Sequence, residues 1–212
     1  MVQRCDGPQS RTVINFSWTP VGPEQTLLEI KTPSVQVGTL YRLAAAIYCL
    51  DLDIYSGDVD TIEEDGELYS QDRFFLRPVE GKPGDSPEVH HSLGVLMETL
   101  LSDRIDPEKL LAQHDHSIPD PSYFFDEPPE LVFDRDPERK ETRFYIETTG
   151  RTGLLIHLSR HFYLEGINIV MATIRTSNAG KAQDQFHLQK DGAPLGQEQC
   201  IRIENRILGK TD

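Results

Sequence analysis

Gly153 opens the stretch "RTGLLIHLSRHFYLEG", in which Leu155, Leu158 and Phe162 recur at helical spacing. A helix start carries backbone N–H groups with no helical partner, and such groups can hold a carboxylate. Thr149 and Thr152 add hydroxyl donors, and Gly150 and Arg151 complete the loop. Asn168, where the next strand begins, could take an amide or an ammonium group. The same arrangement occurs upstream. Gly38 opens a helix there, Ser34 lies in the loop before it, and Asp53 holds the place of Asn168. Each residue also has a plainer reading: the glycines as tight turns, Asn168 and Asp53 as solvated strand ends, Arg151 as a surface charge.

Other chemistry finds less support. His157 and His161 stand four apart, so one helix face could present both to a metal. No acidic or cysteine third ligand lies nearby in sequence, and both read as helix-flank residues. His90-His91 and the "HDH" of 114–116 read as adventitious at most. The three cysteines, Cys5, Cys49 and Cys200, have no CxxC spacing, so neither a disulfide framework nor a zinc site is expected. Cys49 sits within an apolar helix, where a thiol is inert. No GxSxG, P-loop, HExxH or GxGxxG occurs in a fitting context. The expectation is a protein that is not an enzyme and uses no cofactor or metal.

The bulk numbers narrow the partners. The 212 residues are 37% hydrophobic and 26% charged, enough to bury a core. The formal net charge of −14 is spread through turns such as "IEEDGE" and "FFDEPPE". Such a surface is repelled by phosphate backbones and anionic membranes, so neither nucleic acid nor membrane is an expected partner. No segment approaches the roughly 20 apolar residues of a membrane span. The start "MVQRCDGPQS" has no apolar run of a secretory signal, and a cytoplasmic location is expected.

The chain contains a two-copy repeat. Gly38 and Gly153 lie 153 − 38 = 115 residues apart. The same shift pairs Leu40 with Leu155, Tyr48 with Tyr163, Ile54 with Ile169 and Thr61 with Thr176. "DRFFL" and "DQFHL" match at a slightly smaller shift. Copy one reads as strand "RTVINFSW", turn "TPVGPE", strand "TLLEIKT", a helix over about 38–50, strand "LDIYSGDVDTI", turn "EEDGE" and strand "LYSQDRFFLRP". A second helix starts with Ser86 as N-cap and Pro87 at its first position. Copy two repeats the order: "ELVF", turn "DRDPERK", "TRFYIET", a helix over about 153–165, "INIVMATIRT", turn "SNAGK", "QDQFHLQ" and helix "QEQCIRIENRIL". Each copy is therefore ββαββα. The expected fold class is α+β: two ferredoxin-like sandwiches, each with a four-stranded antiparallel sheet and two helices on one face. The leading strand would take the place of the absent final strand, a circular permutation. The expected layout is domain 1 over 1–102, a Pro/Asp-rich linker with a short helix over 103–129, and domain 2 over 130–212. Tyr123, Phe124 and Phe125 are expected to pin the linker onto a domain.

The loop "RTGLL" before the second-copy helix, the following "INIVMATIRT", and "GTL" with "LDIYSGDVDT" in the first copy resemble the ACT domain family of small regulatory modules. The layout looks like the tandem ACT pair that ends the PII-uridylyltransferase of bacterial nitrogen signalling. The family's loop aspartate falls on Gly150, and the first-copy loop, "PSVQVG", has neither Asp nor Arg. The resemblance implies a non-catalytic, amino-acid-binding regulator that signals by domain pairing. Glutamine is the amino acid it brings forward, with a homodimer or a partner regulatory protein as the assembly. The alternative is a ligand-free ACT-type interaction module that acts on or dimerises with a partner enzyme.

Overall fold

A computed structural model describes residues 14–33, 36–82 and 86–210. The first half runs β1 (Asn15–Gly22), β2 (Gln25–Pro33), α1 (Thr39–Tyr48), β3 (Leu52–Glu64), β4 (Glu67–Pro78) and α2 (Pro87–Leu101). Two short helices follow, α3 (Pro107–Gln113) and α4 (Pro121–Phe124). The second half runs β5 (Glu130–Asp136), β6 (Glu141–Thr149), α5 (Leu154–Leu164), β7 (Asn168–Arg175), β8 (Lys181–Gln189) and α6 (Gln197–Ile207). The fold is α+β. All eight strands form one antiparallel sheet in the order β1-β2-β4-β3-β7-β8-β6-β5. Each half contributes four adjacent strands in ββαββα order, which is compatible with two ferredoxin-like units. β1 takes the outer edge beside β2, and no strand follows α6 among the described residues. None of their helices is long and apolar enough to cross a membrane.

The alternation of each strand decides its faces. Leu28 and Ile30 of β2, Phe74 and Leu76 of β4, Phe144 and Ile146 of β6, and Phe186 and Leu188 of β8 are all buried. Leu43 and Ile47 of α1 and Leu158 and Phe162 of α5 join them in the core. Burying a side chain of this size contributes roughly 1.5–3 kcal/mol relative to leaving it exposed. Asp65 and Gly66, both at positive φ, make the two-residue turn between β3 and β4. Ser86 caps α2 by accepting the Val89 N–H at 3.3 Å, with Pro87 next.

Two turn boundaries differ from expectation. β1 continues through Thr19–Gly22, and its turn is only Pro23-Glu24. Pro20 is tolerated because β1 is an edge strand, where a missing donor breaks no interior ladder. β5 likewise continues through Asp134–Asp136, helped by the cross-strand ion pair of Asp134 with Arg143. In the linker, Phe124 is fully buried, stacked on His157 at 4.7 Å. Thr148 Oγ1 donates to its carbonyl at 3.3 Å. Phe124 is thus the pin, while Tyr123 stays 42% exposed.

The halves meet edge to edge. β3 pairs with β7 from Ser56↔Arg175 to Asp60↔Met171, with Asp58↔Thr173 at the centre. Those two are repeat equivalents, since 173 − 58 is again 115. A pseudo-twofold axis therefore passes between them, the internal form of a self-complementary twofold interface. α1 and α5 pack over this seam, where Tyr41 and Tyr163 lie 5.5 Å apart between ring centroids.

Candidate functional site

The seam brings the loop of one half against the strand start of the other. Gly150, Arg151 and Gly153 line a cleft with Tyr48 at the end of α1, Asp53 at the start of β3, Arg77 of β4 and Asp184 of β8. A Cβ on Gly153 would lie 3.2 Å from the Tyr48 ring. The reciprocal contact exists at the other end, where a Cβ on Gly38 would lie 2.5 Å from Tyr163. Tyr48 and Tyr163 are themselves repeat equivalents, so the pattern follows the pseudo-twofold axis.

Of the sequence-predicted residues, the cleft gathers Asp53, Gly150, Arg151 and Gly153. Thr149 is exposed and Thr152 half-buried in the same loop, and neither lines the space. Asn168 stands at the far end of α5, a helix of 11 residues and so about 16 Å long. A strand–helix–strand path returns to the opposite sheet end. Asn168 therefore cannot face Gly153 of its own half, and Asp53 of the other half takes that place. Gly38 belongs to the reciprocal contact, which is filled. Arg42 donates to the Val37 carbonyl at 3.1 Å, pairs with Asp103, and lies 5.3 Å from the Tyr163 ring. Ser34 lies outside the described residues.

The cleft carries both signs of charge. Asp53, only 8% exposed, accepts from Arg77 Nε at 3.0 Å and Nη2 at 2.9 Å on one oxygen. Asp184 accepts the Arg175 backbone N–H at 3.1 Å, and burial lifts its carboxyl to about 7. Leu155 and Ile156, in the first turn of α5, also line the cleft. Among the described residues no side chain caps that turn; the Leu154 N–H donates to the Arg151 carbonyl at 3.1 Å, which leaves the Leu155 and Ile156 amides to offer donors. Arg151 borders the cleft, but its guanidinium is committed outside it. It donates to the Tyr123 carbonyl and to Asp126, and lies 5.3 Å from the Tyr123 ring. The enclosed space is about 30 Å³, room for a water or two.

Gly150 is tightly packed. It donates to the Gly180 carbonyl at 2.7 Å. A Cβ there would stand 3.0 Å from that same oxygen and 3.1 Å from the Thr176 methyl. A longer side chain at 150 would have to push the β7–β8 hairpin aside. Sequence reading missed Asp184. The signal was available: Asp184 shares the inward phase of β8 with Ala182, Phe186 and Leu188, all buried. An acid among apolar inward residues is a buried acid.

His157 and His161 are both buried, with rings 4.7 Å apart. His157 Nε2 bonds the Ile207 carbonyl at 2.9 Å. Burial holds the two well below the ordinary histidine range, at about 4 and about 3. No group of three or more His, Cys, Asp or Glu is placed to hold a metal ion among the described residues. Burial pushes the Cys49 thiol up to about 12, which leaves it a poor nucleophile. No family model matches the chain, and a search of curated proteins finds no match.

Proposed function

We propose that the chain is a non-catalytic regulatory protein of ACT type. In this reading two ferredoxin-like units pack side by side, and a small amino acid binds in the cleft between Gly153 and Asp53. One observation carries the reading: a glycine-headed helix start from one half and a buried carboxylate from the other converge on one cleft. The α5 amides with Arg77 suit a carboxylate, and Asp53 with Asp184 suits an ammonium group. Arg77 is half-exposed but Asp53 is buried, so the ligand's ammonium group has to replace the Arg77 ion pair rather than leave Asp53 unpaired. The resemblance adds glutamine as the first ligand to try, with nitrogen signalling as the setting.

The test is a thermal-shift series against the twenty amino acids at millimolar concentration. Ligand at about 100 times its Kd adds about 2.7 kcal/mol to the folded state. The expected result is a rise in Tm of several degrees for one or a few amino acids, lost in Asp53→Asn. No shift from any of the twenty would sink the sensor reading.

A second reading is an interaction module without a ligand. The observation favouring it is Arg151, which is committed to Tyr123 and Asp126 rather than to the cleft. This reading expects a flat thermal-shift series together with a mass that rises with concentration in sedimentation experiments.

A further inference from the structure

The enclosed space of the Gly153 cleft is about 30 Å³, too small for any amino acid, so the cleft must widen to take one. Most of its lining is core. Ala44, Ile47, Leu52, Leu154 and Ala182 are buried residues of packed elements. The long polar side chains at the mouth, none of them buried, are Tyr48, Arg77 and Arg151. Two of these three are held by one piece of chain, the strap over 112–126 that runs between the halves.

The strap is anchored at two points and open between them. Leu110 and Leu111 of α3 are buried just before it, and Phe124 is fully buried against α5. Gln113, His114, Asp115 and Ser117, which lie between, are exposed. On the first half the strap holds Tyr48. The His116 ring stands edge-on to it at 5.4 Å, and the Tyr48 hydroxyl donates to the Ser117 carbonyl at 3.5 Å. His116 is itself tied down by Asp51, 3.0 Å from its Nε2. On the second half the strap holds Arg151, which gives one Nη to the Tyr123 carbonyl and the other to Asp126. Both partners of the Arg151–Asp126 pair reach solvent, so either can change partner without a buried charge being stranded.

Resting on the sensor reading above, we propose that the strap is an autoinhibitory contact of the cleft. Asp126 and the Tyr123 carbonyl compete with the ligand's carboxylate for Arg151, while His116 braces Tyr48 against widening. The two strap acceptors take one Nη each, and a bidentate carboxylate replaces both at once. The exchange swaps one charge-assisted contact for another, so its net cost is small. Ligand arrival therefore frees Asp126 and releases the strap from the cleft, while Phe124 keeps it on α5. Each half supplies one of the two restrained residues, Tyr48 and Arg151, so the strap responds to the cleft from both sides of the seam.

The experiment uses the full chain and the twenty amino acids, each at millimolar concentration in a thermal-shift series, with calorimetry on those that bind. Wild type is compared with Asp126→Asn, His116→Ala and Arg151→Gln. Asp126→Asn should bind about three- to fivefold more tightly, the worth of one exposed pair. His116→Ala should tighten binding by about threefold, for loss of the ring contact on Tyr48. Arg151→Gln should weaken it by about tenfold or more, since a charge-assisted bond to the ligand is lost. Opposite signs from the two ends of one ion pair are the signature. A purely structural pair shifts binding the same way from either end, and a damaged fold lowers the resting Tm without tightening binding. Equal weakening in Asp126→Asn and Arg151→Gln, or wild-type affinity in both, overturns the strap and leaves the amino-acid site standing. Unchanged affinity in His116→Ala overturns the brace on Tyr48. No response to any amino acid in wild type and all three variants sinks the sensor reading, and this inference with it.

Discussion

Asp184→Asn and Asp72→Asn are each expected to stabilise the protein above neutral pH by about 2–4 kcal/mol. Both acids sit on the inward face of the sheet, and burial lifts each carboxyl from 3.8 to about 7. Between about pH 4 and 7 the folded chain therefore holds protons that the unfolded chain releases. Stability falls as pH rises through that window, and the full penalty is present above it. Asparagine keeps the volume and an acceptor, for the Arg175 N–H at Asp184 and for the Ser70 hydroxyl at Asp72, 2.9 Å away. His157 and His161 act in the opposite sense. Their folded values, about 4 and about 3, lie below the ordinary 6.5, so the unfolded chain takes up protons as pH falls. Their contribution is present above about pH 6.5 and is lost on acidification. The two slopes oppose each other between about pH 4 and 6.5. In the double asparagine variant only the histidine slope is left, and stability should rise to about pH 6.5 and then level. Urea unfolding followed by circular dichroism across this range measures it. Identical pH profiles for wild type and double variant would refute the assignment.

Gly38→Ala should cost more than Gly153→Ala, although the two are repeat equivalents. Both glycines cap their helices in the left-handed region, at φ 91° and 89°. That conformation costs an alanine roughly 1–2 kcal/mol at either site. The difference comes from the ring above. At Gly38 the new methyl meets Tyr163 at 2.5 Å and Arg42 at 2.7 Å, whereas at Gly153 the nearest atom is 3.2 Å away on Tyr48. Overpacking adds roughly 1–3 kcal/mol. The expected losses are about 4 kcal/mol for Gly38→Ala and about 2 kcal/mol for Gly153→Ala, read from urea midpoints. Tyr163→Ala should recover part of the Gly38→Ala loss, because the two sites share one contact. Equal costs at the two glycines would mean that the rings do not differ as described.

Most of the fold could be read from periodicity. The inward residues of β2, β4, β6 and β8 alternate with polar ones, and the leucines of α2 recur every three or four positions, because one face of each element is buried. The places that resisted reading were decided by distant partners. Pro20 looks like a turn residue until β1 is known to be an edge. "DRD" looks like a turn until Arg143 stands opposite Asp134. The joining of β3 to β7 could not be read at all, since backbone pairing leaves no mark on composition. That seam also decided the site. Asp53, Gly150, Arg151 and Gly153 come together only because equivalent strands pair about Asp58 and Thr173. Asn168 was assigned by closeness in sequence, and the length of α5 removes it.

Among the described residues the eight-strand sheet does not close into a barrel, so it ends in two rims of unpaired backbone groups. Such rims are templates on which a foreign strand can grow. Here each is blunted. Pro20 withholds a donor on β1, and the register slips between Pro20 and Gly22. β5 carries Glu130, Asp134, Arg135 and Asp136, a row of charges that a second apolar strand would have to bury. The unguarded inner borders, with Gly57 and Val59 on one side and Ala172 and Ile174 on the other, are spent on each other. Fusing two copies in one chain thus removes the two borders most open to polymerisation, and leaves outward only those poor at recruiting another strand.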